Sequence, residues 1–354
     1  MRALIAVGRT VEVTTWPDPV PRPGEVVVAV HSCGICGSDV HGIEQGRVAH
    51  GRVLGHELSG TVVALGDGVD SVRVDDAVAV DPLGACGHCD ECARGLSLRC
   101  AAVPNIGLDA PGGFAEYLSV PATQLHPLGP ASFEQGARVE PLAVALHAAH
   151  LAGAGPGCRA VVFGVGSIGL SVVLALRSLG AAEIVAIGRS PGRRRAAEAA
   201  GADVVDSSVI DLDSYFTERA GHFDAAFECS GAEEAFSLLV RALASNGRFV
   251  ALALTSQVTP LALRELVARN LHVIGSCAFA PHEFAEALSL IATGAVDPSP
   301  LVSAQLSLQE APAAFHDLRH PRDHVAALVQ PWRPGPPGAR PGAHTRDAVE
   351  GGEP

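Results

Sequence analysis

The sequence predicts an α/β protein of two domains, one rich in short strands and one built on a doubly wound parallel sheet. Three observations predict this. The chain has 354 residues, more than one hydrophobic core usually serves. Residues 1 to about 145 read as short, Val-rich strands broken by Gly and Pro. From about residue 155, apolar runs alternate with helical stretches, which is typical of βαβ units with helices on both faces of the sheet.

The first part has four segments with strand character. In chain order they are RALIAV, EVVVAVHS, LSGTVVALG and DAVAVDP. Alternating apolar positions and β-branched residues favour strands here.

The second part opens with a buried strand, CRAVVFGVG, and a helix, SIGLSVVLALRSLGA. Further apolar runs predict the strands EIVAIGR, FDAAFECSG, GRFVALAL and LHVIGS. The helices predicted between them are RRRAAEAAGA, EEAFSLLVRALASNG and LALRELVARN. From PHEFAEALSLIATGAV to about residue 330 the pattern is mixed again. Residues 331–354 are rich in Pro and Gly without periodicity, which predicts a disordered tail.

Composition and charge exclude several classes of partner. The formal net charge is −13, from 38 acidic and 25 basic residues, and every base is Arg. An acidic chain repels phosphate backbones, so we expect no nucleic-acid partner. No apolar run approaches the ~20 residues that cross a bilayer, and the first residues lack a signal-peptide core, so we expect no membrane partner and a cytoplasmic location. Thiols are reduced there, which argues against a disulfide framework.

A four-cysteine cluster is the strongest single motif. Cys86, Cys89, Cys92 and Cys100 are spaced three, three and eight residues apart. Four thiolates brought together by tight turns suit a closed tetrahedral Zn²⁺ site, which has a structural role. An iron–sulfur cluster is the rival interpretation, but the spacing is not that of the bacterial ferredoxin run.

A second set of metal-ligand residues is spread along the chain. Cys36, His56 and Glu57 offer a soft, a borderline and a hard ligand, and Glu140 offers another carboxylate. Three protein ligands with one open position are typical of a catalytic zinc, because the open position can take a substrate oxygen. The sequence does not decide whether Glu57 or Glu140 is the third ligand.

The segment FGVGSIGL contains a G-x-G-x-x-G motif between a predicted strand and a predicted helix. In that context Gly164 permits the tight turn, Gly166 lets a pyrophosphate approach the backbone, and Gly169 allows close packing. The phosphates would bind at the N-terminus of the helix, which begins with Ser167 and Ile168.

The end of the next predicted strand bears on the choice of nicotinamide cofactor. An acidic residue about 20 positions beyond the motif would bind the ribose 2′-hydroxyl of NAD. Here Gly188, Arg189 and Ser190 stand at that place, and Arg194 follows. Because guanidinium groups can pair with a 2′-phosphate, we expect NADP to be preferred, with NAD as the alternative.

These motifs together resemble the zinc-dependent medium-chain dehydrogenase family. The resemblance covers residues 1 to about 330, and Glu140 in its EPL setting is similar to the sorbitol and polyol dehydrogenase branch. The segments that carry it are GICGSDVH, GHELSGTV, the four-cysteine cluster, GGFAEYLSVPA, EPLAVALHA, GVGSIGL and ECSGAEEAF.

The resemblance implies a fold and an assembly. A GroES-like catalytic domain would comprise residues 1–150 and 280–330, with a structural zinc lobe at 84–101. A Rossmann domain would comprise residues 151–279. Relatives form dimers and tetramers, so a homodimer or homotetramer is expected.

The resemblance also implies a reaction, namely reversible hydride transfer between a secondary alcohol and a nicotinamide cofactor. The alcohol would be a polyol, a sugar alcohol or a cyclitol, and an aminocyclitol or amino alcohol used with NAD is the alternative. Glu57 and Glu140 would act at the catalytic zinc, and a proton would leave through Ser38 and His41. A zinc-free reductase or a non-catalytic relative would lack these ligands.

One departure from the family concerns the loop between two of the ligands. Only 19 residues separate Cys36 from His56, and HGIEQGRVAHGRVL is shorter than in many relatives. This loop helps to line the substrate pocket in the family, so the resemblance to sorbitol dehydrogenases does not by itself identify the substrate.

Overall fold

A computed structural model describes most of the chain, and its fold is mixed α/β. The described residues are 1–94, 96, 99–255, 258–261, 263–318 and 324–335. The predicted tail therefore lies outside the described residues from position 336 onward.

Strands from both parts of the chain form one hairpin and two larger sheets. The strands are β1 (Arg2–Val7), β2 (Thr10–Thr15), β3 (Glu25–Gly34), β4 (Glu57–Leu65), β5 (Ala77–Val80), β6 (Tyr117–Pro121), β7 (Leu125–Pro127), β8 (Arg159–Phe163), β9 (Glu183–Gly188), β10 (Asp203–Asp206), β11 (Phe223–Glu228), β12 (Leu243–Ala251), β13 (His272–Gly275), β14 (Val302–Leu306) and β15 (Ala326–Val329). The strand segments predicted near the N-terminus correspond to β1, β3, β4 and β5, so those predictions are confirmed.

Helices separate the strands of the second part and are fewer in the first. They are α1 (Gly37–Glu44), α2 (Asp90–Ala93), α3 (Phe133–Gly136), α4 (Val139–Leu151), α5 (Ser167–Ser178), α6 (Pro191–Ala199), α7 (Leu212–Glu218), α8 (Ala235–Ala242), α9 (Leu263–Ala268), α10 (Pro281–Ala292) and α11 (Ala311–Asp317).

The first large sheet is mainly antiparallel and has the order β14-β15-β3-β4-β5-β7, with β6 also paired to β3. Strand β15 pairs with β3 through Leu328↔Gly34 and Val329↔Cys33, so residues near 330 complete the sheet that the N-terminal part begins. The exact domain boundaries stay a prediction.

The second large sheet is parallel throughout, with the order β10-β9-β8-β11-β12-β13. Successive residues of its central strand β8 point to opposite faces, as the period of a strand requires. Val162 packs into the core with α4, α5 and α10, whereas Val161 packs into the core with α7 and α8. Helices therefore cover both faces, which confirms the doubly wound prediction for this part.

One predicted boundary is wrong. The helix predicted to run through EEAFSLLVRALASNG ends at Ala242, and β12 begins at Leu243. Leu243 pairs with Phe223 of β11, and the register shifts before the next pair. Pairing to a distant strand has overridden the helix propensity of the Leu-Ala pair, because burial in a sheet outweighs local preference.

Among the described residues, the structure contains no helix with the length and apolar character that a membrane span requires.

Candidate active site

The pairing of β3 with β4 brings together three of the predicted metal ligands. Gly34, the last residue of β3, is the register partner of Glu57, the first residue of β4. Cys36 follows as the N-cap of α1, and His56 immediately precedes β4. The Sγ, imidazole and carboxylate ligand atoms of Cys36, His56 and Glu57 lie within 4.8 Å of one another. A Cβ atom at position 34 would overlap Glu57 Oε2, so this close approach requires glycine.

This donor set fits zinc. Sulfur, nitrogen and oxygen donors this close, with three protein ligands, form the pattern that zinc enzymes use with one open position. Two neighbouring polar atoms, His56 Nδ1 and Asp39 Oδ1, are buried without a hydrogen-bond partner in the described part of the chain. They face each other at 3.5 Å. Asp39 is thus placed to orient the ring of His56 and to leave Nε2 for a metal, as zinc-bound histidines require.

Burial governs the proton affinities at this centre. It raises the pKa of the Cys36 thiol, although His56 opposes the shift. Burial lowers the pKa of His56, but Asp39 and Cys36 outweigh it and raise the pKa well above its usual value. A buried thiol and imidazole that hold their protons in this way would release them on binding a cation, because metal ligands must be deprotonated.

The two candidate carboxylates have different surroundings. Glu57 accepts a hydrogen bond from Arg138 Nη1 at 2.7 Å, and both side chains are almost fully buried. Glu140, in the first turn of α4, is also buried but lies outside the group of ligand atoms within 4.8 Å that the described residues form here. Burial raises the pKa of Glu140 to about 8, with His56 acting in the opposite direction. The geometry favours Glu57 as the third ligand.

The predicted proton relay begins beside this centre. Ser38 lies in the first turn of α1 and lines a cleft together with Arg47, Arg52 and Gly107. His41 lies in the last turn of the same helix and is exposed. The relay through Ser38 and His41 stays a prediction.

The four-cysteine cluster forms a second group of metal-ligand atoms. The Sγ atoms of Cys86, Cys89, Cys92 and Cys100 all lie within 4.8 Å of one another. Cys86 Sγ and Cys92 Sγ are 3.9 Å apart, and the N–H of Cys92 donates to Cys89 Sγ at the start of α2. Backbone N–H groups, that of Cys86 first among them, lower the pKa of Cys100 to about 6. Four such thiols fit a closed zinc site.

The glycine motif forms the predicted turn between β8 and α5. Gly164 has φ +100°, a left-handed conformation that favours glycine, and a Cβ there would overlap the backbone N of Ser230. Gly166 is the N-cap of α5, and Gly169 packs against the carbonyl oxygen of Gly164. Gly164 and Gly166 line a cleft with a volume of about 650 Å³.

Two other residues of the motif, Ser167 and Ile168, do not line this cleft. Ser167 Oγ accepts a hydrogen bond from Arg138 Nη2 at 2.7 Å, and Ile168 packs against the core. These two contacts fix the N-terminus of α5, where a dinucleotide phosphate would bind.

The predicted 2′-phosphate end of the cleft contains some of the expected residues. Arg189 and Ser190 line it, together with Arg193, and Arg189 is exposed. Arg194 instead forms an ion pair with Asp206 at 2.7 Å and is absent from the cleft lining. Arg189 and Arg193 therefore line the cleft at this end and Arg194 does not, while the binding of a 2′-phosphate here stays a prediction.

A turn after β11 closes the same cleft. Glu228 Oε1 accepts hydrogen bonds from the N–H groups of Ser230 and Gly231, at 2.7 and 2.8 Å, and from the Ser230 hydroxyl. Burial raises the pKa of Cys229 far above its usual value. The thiol of Cys229 packs against the core of the parallel sheet, and a thiol with a raised pKa stays protonated near neutral pH.

Two family models match this chain. Residues 22–130 match the model described as alcohol dehydrogenase GroES-like domain, and residues 167–293 match the model described as zinc-binding dehydrogenase. The chain belongs to the zinc-dependent medium-chain dehydrogenase family. Within it, this dehydrogenase belongs to the sorbitol-like branch, which confirms the resemblance seen in the sequence.

Two of its relatives are named for a sugar acid and for a polyol. It is 34% identical to 2-dehydro-3-deoxy-L-galactonate 5-dehydrogenase of Pseudoalteromonas atlantica over 88% of this chain and 92% of the relative. It is 32% identical to sorbitol dehydrogenase of Homo sapiens over 86% of this chain and 88% of the relative. This dehydrogenase is accordingly an enzyme that oxidises or reduces a secondary alcohol or its ketone, and its substrate is a small molecule.

A solved structure extends the likeness to the cofactor. A zinc-binding dehydrogenase from Sinorhizobium meliloti 1021, bound to NADP, superposes with a TM-score of 0.86 at 30% identity. The match covers 93% of this chain and 99% of that chain. Zinc and a nicotinamide cofactor therefore belong to this dehydrogenase.

Sequence reasoning missed three charged residues of the site. Arg138 was not singled out, and neither were Arg47 and Arg52 beside Ser38. A signal for Arg138 was present, since it interrupts the otherwise apolar run before Glu140. Its partner Glu57 is 81 residues away, so the contact itself depends on the fold.

Proposed function

We propose that this dehydrogenase transfers a hydride between a secondary alcohol of a polyhydroxylated substrate and NADP. The observation that carries the proposal is the grouping of Cys36, His56 and Glu57 ligand atoms within 4.8 Å. Arg138 joins Glu57 to Ser167 of the dinucleotide motif by two 2.7 Å hydrogen bonds. The metal centre therefore lies next to the end of the cofactor cleft.

Cys36, His56 and Glu57 would hold the catalytic zinc, which supplies a Lewis acid that stabilises negative charge on a substrate oxygen. Asp39 orients the His56 ring. Ser38 Oγ accepts the hydroxyl proton of the alcohol as its own hydroxyl proton leaves toward His41, which is exposed. Glu140, buried beside the ligands with a pKa near 8, can hold a proton close to the reacting oxygen.

The preference for NADP is supported by charge at the end of β9. No carboxylate stands among Gly188, Arg189 and Ser190 to bind a 2′-hydroxyl or to repel a 2′-phosphate. Arg189 and Arg193 line the cleft at this point. Guanidinium groups bind phosphate through charge-assisted hydrogen bonds.

The substrate class is supported by the positive charge of the cleft that Ser38 lines. Arg47 and Arg52 line that cleft, and their positive charges would suit a substrate that carries a carboxylate. The relative from Pseudoalteromonas atlantica is named for a sugar acid. We therefore favour a sugar acid over a neutral polyol or cyclitol.

The assembly is supported by an exposed edge. Strand β13 ends the parallel sheet, and apolar side chains of α9, the helix that precedes β13 in the chain, are exposed, Leu263 by 66% and Val267 by 81%. Pairing of β13 with a second copy would cover this edge and make a homodimer.

The proposal is tested by absorbance at the reduced-nicotinamide band. A panel of sugar acids, neutral polyols, cyclitols and the matching ketones is combined with NADP(H) and NAD(H), and zinc is counted in the same protein. We expect turnover with NADP, higher kcat/KM for sugar acids, and two zinc ions per chain. Turnover without zinc, or with none of these alcohols, contradicts the function. A kcat/KM for NAD equal to that for NADP contradicts the cofactor preference alone.

A further inference from the structure

Arg138 is a charged side chain that contacts two functional sites at once. It directly precedes α4 and is only 2% exposed. Nη1 donates to Glu57 Oε2 at the metal centre, and Nη2 donates to Ser167 Oγ at the start of α5. Each distance is 2.7 Å. The guanidinium therefore joins β4 of the first large sheet to α5, the helix of the dinucleotide motif.

The surroundings of Arg138 are poorly suited to a purely structural charge. Its Nε is buried and has no hydrogen-bond partner in the described ranges. A buried ion pair is a weak source of stability, because desolvation of both charges opposes their attraction. The desolvation cost of burying Arg138 is easier to explain if the guanidinium has a function at Glu57 and at Ser167.

The partners of Arg138 compete for its charge. Glu57 is a candidate metal ligand, and a cation that shares its carboxylate would draw negative charge away from Arg138. More of the guanidinium charge would then act on the N-terminus of α5, where the phosphates of a dinucleotide are expected. Without that cation, Glu57 would neutralise Arg138 more fully.

We propose that Arg138 is a positioning residue that links occupancy of the metal centre to affinity for the dinucleotide. This inference rests on the proposed function, because it requires a dinucleotide at the N-terminus of α5. A link of this kind is a coupling free energy between two sites, and it acts equally in both directions.

The test is a double-mutant cycle in dinucleotide affinity. The dissociation constant for NADPH is measured by fluorescence titration in the wild type, H56Q, R138M and the H56Q/R138M double variant. Metal analysis verifies that H56Q lacks one zinc ion per chain. We expect H56Q to weaken NADPH binding by about fivefold or more when Arg138 is present, and by less than about twofold when it is absent.

Two serines of α5 give a matched pair of controls. Ser167→Ala removes only the Nη2 contact and leaves the Arg138–Glu57 pair, so it too should reduce the effect of H56Q on NADPH affinity. Ser171 is buried on the same helix and bonds to the carbonyl of Ser167. Ser171→Ala should leave the effect of H56Q unchanged. If R138M does not fold, the comparison of S167A with S171A decides.

The outcomes separate the two ideas. An equal effect of H56Q with and without Arg138, or no effect in the wild type, overturns the role of Arg138. Damage to packing alone would weaken binding additively and would also give equal effects. A wild-type protein that binds neither NADPH nor NADH contradicts the proposed function instead.

Discussion

At the residue scale, metal binding at the end of β3 depends on Gly34 and Asp39. Gly34 leaves room for the Glu57 carboxylate, and Asp39 holds the ring of His56 from behind. Asp39 also accepts the N–H of Cys36 through Oδ2 at 3.2 Å. One buried carboxylate thus fixes two ligands, so an Asp39 variant should disturb both of them together.

Ser38→Ala should lower kcat by about 10²-fold or more, because the variant lacks the hydroxyl that takes the proton from the alcohol. The measurement is steady-state kcat with the best substrate of the panel. The zinc content and the NADPH dissociation constant serve as controls and should match the wild type. Wild-type kcat in Ser38→Ala would remove this residue from the relay.

Arg189→Ala should lower kcat/KM for NADP by about tenfold to a hundredfold, since one charge-assisted hydrogen bond contributes about 1.5–3 kcal/mol. The value for NAD should change little. Arg195 is a matched control, because it is exposed on α6 and is absent from the cleft lining. A loss with Arg195→Ala as large as that with Arg189→Ala would show that the effect is only one of net charge.

At the scale of elements, one carboxylate connects α10 to α4. Glu283 is 3% exposed and accepts hydrogen bonds from His147 at 2.9 Å and His150 at 2.8 Å. It also accepts the N–H of Ala280 at the start of its own helix. Burial raises the pKa of Glu283, but the two histidines outweigh it and lower the pKa to about 2.

Glu283→Gln should lower the free energy of unfolding near neutral pH by about 2 kcal/mol, because hydrogen bonds to a charged group are lost. A pKa depressed below its ordinary value of 4.5 means that the contribution is complete above pH 4.5. The contribution is lost as the pH falls toward 2. Urea unfolding at several pH values should therefore show the two proteins converging in acid.

Glu286→Gln provides the comparison for this helix. Glu286 lies one turn further along α10, is more exposed, and is 3.6 Å from His150. It should change the free energy of unfolding by less than about 1 kcal/mol. A constant difference between wild type and Glu283→Gln from pH 7 to pH 2 would contradict the pKa assignment.

Much of the architecture was predictable because its signals are local. The runs that became β8 and β9 are apolar, β-branched and bounded by glycines, so burial and propensity agree. The segment at 243–246 was not predictable, since its strand exists only through pairing with β11. Asn246 there has φ 63°, a conformation that sequence alone seldom indicates.

In the candidate site, too, residues with local sequence signals were predictable and residues that depend on distant contacts were not. The Cys36 and Gly164 motifs carry their chemistry within a few residues, and they were recognised. The role of Arg138 depends on its contacts with Glu57 and Ser167, which are distant in the chain and approach it only in the folded protein. Arg194 pairs with Asp206 on β10, a contact that the sequence does not indicate, and its role at the cofactor stays a prediction.

At the scale of the molecule, β13 at the edge of the parallel sheet is the strand through which we propose that two copies pair. Val273 on β13 is 43% exposed, and Leu263 and Val267 on the preceding helix α9 are exposed as well. Val273→Glu should convert an assembly of at least two 36.2 kDa chains into monomers, because it places like charges at the paired edge. Light scattering after size-exclusion chromatography gives the mass.

Val209→Glu is the control for added charge. Val209 is 78% exposed and lies on the loop after β10, at the opposite edge of the same sheet. It should leave the mass unchanged. A wild-type protein that elutes as a monomer would exclude the assembly through β13.

The pairing of β15 with β3 has a consequence for biosynthesis. The N–H of Ile35, one residue before Cys36, donates to the carbonyl oxygen of Ala327. The ribosome adds Ala327 almost 300 residues after Ile35. The backbone that leads into the first ligand is therefore incomplete throughout most of translation. Metal uptake at Cys36 should therefore follow the synthesis and pairing of β15, whereas the four clustered thiols, which are close together in the chain, can bind their ion earlier.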